Sequence, residues 1–171
     1  MAAPTDGTMT SSCLCRGVAF SAAGAPIVHA VCYCDDCQEG ARRIEALPNA
    51  PPVLDPDGGT DFIVYRKDRV ECTRGAALLT THKLKPGSPT RRMVASCCNS
   101  AMLLGFDDAR HWVSMYRTRF PGAVPPVQMR ICTKFRAGRG EIPDDAPSYP
   151  RYAFPFLTKL IGARIAMLLG R

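Results

Sequence analysis

Cysteine is the residue type in this chain whose spacing points to chemistry. Nine occur among 171 residues, and seven fall in three tight groups: Cys13-Leu14-Cys15, Cys32-Tyr33-Cys34-Asp35-Asp36-Cys37 and Cys97-Cys98. Thiolates this close in sequence reach a common point from a single turn, which is how a soft cation such as zinc is held. Cysteines one or two residues apart seldom pair as structural disulfides, and an odd count leaves one thiol over, so metal ligation is the favoured reading. Cys72 and Cys132 stand apart in sequence. In the alternating run Val127–Thr133, Cys132 falls on the face opposite Met129 and Ile131, so both isolated cysteines read as ordinary small residues rather than ligands.

Other candidates carry weaker signals. Arg91 and Arg92 are suited to gripping a carboxylate, and a solvated strand edge explains them as well. Asp36, with Asp35, either positions a proton donor or supplies the turn that a C-x-x-C knuckle needs. His29, His82 and His111 lie at no ligand spacing from any cysteine group and read as packing or surface residues. There is no Gly-rich phosphate loop, no G-x-S-x-G and no H-E-x-x-H, which argues against nucleotide use and serine chemistry.

The elements that must position these residues are mostly short strands. Ile27–Tyr33 is an apolar run leading into the central cysteines. Cys37–Leu47 places Ala41, Ile44 and Leu47 at helical spacing and ends at Pro48. Residues 48–60 are a loop by composition. Asp61–Tyr65, Arg69–Thr73, Ala76–Leu84, Arg91–Ser96, Ser100–Phe106 and His111–Tyr116 read as strands. Val127, Met129 and Ile131 mark one face of a further strand. Residues 138–150 have linker composition, and 153–169 form an apolar helix that docks on the body or on a second copy of the chain, giving a homodimer. Residues 1–10 are expected to be flexible.

The net charge is +7, with the excess concentrated in the C-terminal third. Basic and aromatic residues do not interleave as a nucleic-acid platform requires, so no nucleic-acid partner is expected. No secretory signal or bilayer-spanning run is visible, and reduced thiols fit a cytoplasmic protein.

The order C-x-C, C-x-C-x-x-C and a late cysteine knuckle resembles the glutathione-dependent formaldehyde-activating enzyme / centromere protein V family. The resemblance covers roughly residues 11–118 and includes the Gly58-Gly59-Thr60 turn and the Arg91-Arg92 step. It implies a mainly β, Mss4-like, zinc-braced fold over 11–137, with a short helix after the central cysteines and a linker and helical extension over 138–171. It also implies one or two Zn2+ ions. Cys13, Cys15, Cys97 and Cys98 would hold a structural zinc; Cys32, Cys34 and Cys37 would hold a second, open to chemistry. The implied activity is a carbon–sulfur lyase joining glutathione, or a related small thiol, to formaldehyde. Arg91, Arg92 and Asp36 are the candidate substrate-binding residues.

Three positions depart from the family pattern. Ala95 stands where the last knuckle has its first cysteine. Tyr33 replaces a common His and Gln38 a common Arg, both expected near the substrate. Neighbours in extended chain point to opposite sides, so Cys97 and Cys98 share one ion only if the backbone turns sharply between them. Otherwise Cys97 faces the central cysteines and closes them as a four-thiolate centre. Two non-enzymatic readings stand beside the lyase: a zinc-braced module that binds a partner, and a thiol-based metal or redox sensor.

Overall fold

The computed structural model describes residues 7–138 and 140–170. Among these are the strands β1 (Thr8–Ser12), β2 (Ala19–Ala23), β3 (Val28–Cys32), β4 (Thr60–Arg66), β5 (Val70–Arg74), β6 (Leu79–His82), β7 (Thr90–Ala95), β8 (Ser100–Phe106), β9 (Trp112–Tyr116) and β10 (Met129–Ile131), with helices α1 (Asp35–Glu45) and α2 (Phe154–Leu168). A three-stranded sheet has the order β1-β2-β5, and a seven-stranded sheet the order β10-β3-β4-β9-β8-β7-β6. All pairs are antiparallel except β10 with β3. The architecture is mainly β, in keeping with the Mss4-like fold.

Side-chain alternation on the large sheet builds two cores. Along β4, Phe62 and Val64 enter one core, and Ile63 and Tyr65 the other. The first core also takes Ala41 and Ile44 of α1, Met129 and Ile131 of β10, and Phe156 and Leu160 of α2. The second takes Val18, Phe20 and Ala22 from the small-sheet side. β3 is buried at every position, which is why it reads in sequence as an apolar run rather than as an alternation.

Helix α1 begins two residues earlier than its apolar spacing indicates. The Cys34 carbonyl accepts the Cys37 and Gln38 amides, so the C-x-x-C knuckle is itself the first turn of the helix. Asp35 and Asp36 lie at its positive end, and Arg42 and Arg43 at its negative end. The carboxylate of Glu45 then accepts the amides of Val53 and Leu54 and anchors the 48–60 loop.

Two stretches differ from expectation. Residues 1–6 lie outside the described residues, but Thr8–Thr10 form part of β1 in register with β2 rather than a flexible end. Part of the expected 138–150 linker runs beside β10: the Arg130 amide bonds to the Pro147 carbonyl and the Tyr149 amide returns to the Arg130 carbonyl. Helix α2 docks through Phe156 and Leu160, and the His111 ring donates to the Leu160 carbonyl at 2.8 Å. Phe154, Leu157, Ile161, Ile165 and Leu168 form its exposed side.

Candidate metal centres and their cavity

The turn at Ser96–Asn99 joins β7 to β8 and brings both adjacent cysteines to one place. Ala95 pairs with Ser100 across the hairpin, the Cys98 amide bonds back to the Ala95 carbonyl, and Asn99 takes a left-handed φ of 51°. The sharp reversal removes the extended-chain objection to Cys97 and Cys98 sharing one centre. Their sulfurs and those of Cys13 and Cys15 all lie within 4.8 Å of one another. Cys15 to Cys97 is 3.2 Å, Cys13 to Cys15 is 3.6 Å and Cys13 to Cys97 is 3.8 Å. Sulfurs bound tetrahedrally at about 2.3 Å sit roughly 3.8 Å apart, so four thiols here fit one ion. Ala95 is fully buried core, and Cys97 supplies the fourth sulfur of this cluster.

Surrounding groups orient these sulfurs. The Val18 amide donates to Cys13 Sγ at 3.2 Å. Ser100 Oγ accepts from the Leu14 amide and from Arg119 Nη1 and lies 3.1 Å from Cys98 Sγ. Arg119 is a buried cation beside this cluster, and burial lowers its pKa against the pull of Cys98 and Cys13.

Cys32 ends β3, Cys34 caps α1 and Cys37 lies in its first turn, so strand end and helix start aim three thiols at one point. Their sulfurs also lie within 4.8 Å of one another. The thiols of this cluster share their protons unevenly: Cys32 and Cys37 draw Cys34 down to about 3, while Cys32 and Cys37 themselves are held well above the usual thiol value by their cysteine neighbours and by burial. The two clusters belong to the two different cores, and Cys97 is with Cys13 and Cys15 rather than with the central cysteines.

Cys132 is the residue that sequence reasoning misplaced. It is 1% exposed and neighbours the Cys32 thiol. The alternation that put it on the far face stops one residue earlier: β10 ends at Ile131, and Cys132 turns to φ 62°. Parallel pairing of Ile131 with Cys32 then sets the two cysteines side by side. Cys72 bonds to the Arg74 carbonyl and belongs to neither cluster.

A cavity of about 560 Å3 opens on Cys32, Cys34 and Cys37. Its walls are largely apolar, with Phe62, Phe106, Trp112, Phe156 and Leu160, and its polar groups include Asp36, Arg92 and Arg110. Arg92 is buried, and its Nη2 donates to the Asp36 carbonyl at 2.5 Å. Arg91, the remaining candidate substrate-binding residue, does not line this cavity. Strand alternation turns it away from the cavity, to an ion pair with Asp107 at 3.1 Å. Arg110, which no motif marked, lies over the Phe106 ring at 3.9 Å and pairs with Asp108.

Tyr33 and Gln38, expected near the substrate, are held in hydrogen bonds away from the thiols. Neither is part of this cavity wall. The Tyr33 hydroxyl donates to Asp57 at 2.6 Å and accepts from Arg130. Gln38 donates to the Tyr33 and Phe135 carbonyls and accepts the Ala137 amide, tying α1 to the chain after β10.

A mainly β scaffold with two convergent thiol clusters, each able to hold a metal ion, sets the class of this protein. Within that class, residues 8–46 match the model of the glutathione-dependent formaldehyde-activating enzyme family. That segment carries the first two cysteine groups, and the family resemblance is shown there. A solved structure of a Rhodobacter sphaeroides protein is similar at 16% identity, covering 68% of this chain and 92% of that one, with a TM-score of 0.48. No curated protein matches the chain. No helix among the described residues is long and apolar enough to cross a membrane.

Proposed function

We propose that the chain is a zinc-dependent carbon–sulfur lyase that joins a small thiol of the glutathione type to formaldehyde, and runs the reverse reaction. The observation that carries this reading is the three-thiol cluster opening onto a cavity with buried Arg92 at its edge. The four-thiol cluster is the bracing centre, because four thiolates saturate a tetrahedral ion, whereas three leave room for a substrate atom. A zinc ion held by Cys32, Cys34 and Cys37 would keep an incoming thiol as its thiolate and polarise a carbonyl oxygen at neutral pH.

The chain's own residues supply binding and a dry environment. Arg92 and Arg110 offer guanidinium groups to the carboxylates of a peptide-like thiol. Phe62, Trp112, Phe156 and Leu160 exclude water from the reacting atoms. The volume lies within the roughly 300–1,000 Å3 usual for small-molecule sites. In the reaction, the thiol sulfur bonds to the carbonyl carbon, the carbonyl π pair moves to oxygen, and the thiol proton ends on that oxygen. Reduced thiols are required throughout, which fits a cytoplasmic setting.

The test is magnetisation exchange between 13C-formaldehyde and its glutathione adduct, followed by NMR. The zinc-loaded protein should accelerate exchange and Cys34→Ser should abolish the acceleration. Equal exchange with and without the wild-type protein would contradict the assignment.

A further inference from the structure

We infer that Cys132 is the fourth thiol of the metal site formed by Cys32, Cys34 and Cys37. This rests on reading those three as metal ligands, and not on the reaction proposed for them. Three placements support it. Parallel pairing of β10 with β3 sets Ile131 opposite Cys32, and Cys132 follows directly, beside the Cys32 thiol. Cys132 and Cys34 line the same pocket, beside Tyr152 and Phe135. The thiol is nearly fully buried and neighbours the Cys32 thiol there.

The sulfur falls outside the 4.8 Å envelope that holds the other three, so it is the ligand that must swing in. A change of rotamer moves a cysteine sulfur without moving the backbone. Charge favours this arrangement. Four thiolates around a divalent ion leave a net negative charge, and cations lie near both ends of the set: Arg92 by Cys37 and Lys134 by Cys132. With Cys132 swung in, four thiolates saturate the ion; the position that the proposed thiol chemistry needs is open only with Cys132 swung out.

The experiment uses full-length protein loaded with cobalt(II) in place of the native metal. Wild type is compared with Cys132→Ser and Cys132→Gly; glycine suits the left-handed φ of 62°, so that variant keeps the backbone while deleting the thiol. Two metal equivalents are expected in all three proteins. Thiolate-to-cobalt charge-transfer absorption should fall by the share of one thiolate in both variants, and second-site affinity should weaken on the order of tenfold or more, the scale at which even outer partners of a metal act. Two equivalents with absorption and affinity unchanged in both variants would overturn the inference and leave the three-cysteine site standing. A single equivalent in wild type, unaffected by Cys34→Ser, would overturn both together.

Discussion

His29 shows how one buried side chain sets a pH dependence in this scaffold. Its ring nitrogens lie 2.5 Å from the Pro125 carbonyl and 2.6 Å from the Asp61 carboxylate. Two acceptors call for two N–H donors, which is the imidazolium form. Burial opposes the charge, but the Asp61 hydrogen bond and charge, with the Pro125 carbonyl, outweigh it and leave the pKa raised, while Arg117 pushes back. A raised folded value gives stability that is full below the unfolded ring's pKa of about 6.5 and is lost as pH rises through the folded value. The unfolding free energy of wild type relative to His29→Gln should therefore shrink on titrating from about pH 6 to about pH 9. A gap that stays flat or widens would contradict the doubly bonded ring. Asp55, pushed up to about 6 by burial and by the charges of Asp61 and Asp57, titrates on the acid side of this window. At the same scale, the seven clustered cysteines were legible because ligand spacing is local. Cys132 was not: its partner Cys32 is distant in sequence, and a single left-handed residue broke the alternation that sequence reading extended through it.

Helix α1 is the element on which the second cluster depends, and Gly40 is where it meets the large sheet. Replacing glycine by alanine inside a helix ordinarily stabilises by about 1 kcal/mol. At Gly40 a Cβ would strike the Arg92 guanidinium, which is buried and bonded to the Asp36 carbonyl. Gly40→Ala should reverse the usual sign, lowering the denaturant midpoint. It should also raise KM for the thiol more than it changes kcat, because Arg92 is displaced while the cysteines remain. A variant more stable than wild type, with KM unchanged, would show that Arg92 is not seated by this contact. Most strands could be read from alternation and turn residues, because that pattern is local. The order of the large sheet could not, since β10 joins β3 from 99 residues away in sequence (Met129 with Ala30). The start of α1 falls earlier than its apolar spacing indicates, because the C-x-x-C segment from Cys34 to Cys37 is itself the first turn of the helix.

In the molecule as a whole, the two thiol clusters lie in different cores of one sheet, which is the separation the proposed bracing and reacting centres need. The four-thiol cluster ties the β1–β2 connection to the β7–β8 hairpin. The three-thiol cluster sits where β3, α1 and the end of β10 converge, with α2 closing part of the cavity. That α2 would dock was readable from its composition, but its docking side was not, because Leu157, Ile161 and Ile165 are as apolar as Phe156 and Leu160. The central claim is that the second cluster holds a metal that accepts a substrate thiol. Its most direct test is the visible spectrum of the fully cobalt-loaded protein titrated with glutathione. The expected result is a saturable shift in wild type that is absent in Cys34→Ser and retained in Cys72→Ser. A fully loaded wild-type protein whose spectrum does not respond to glutathione would contradict it.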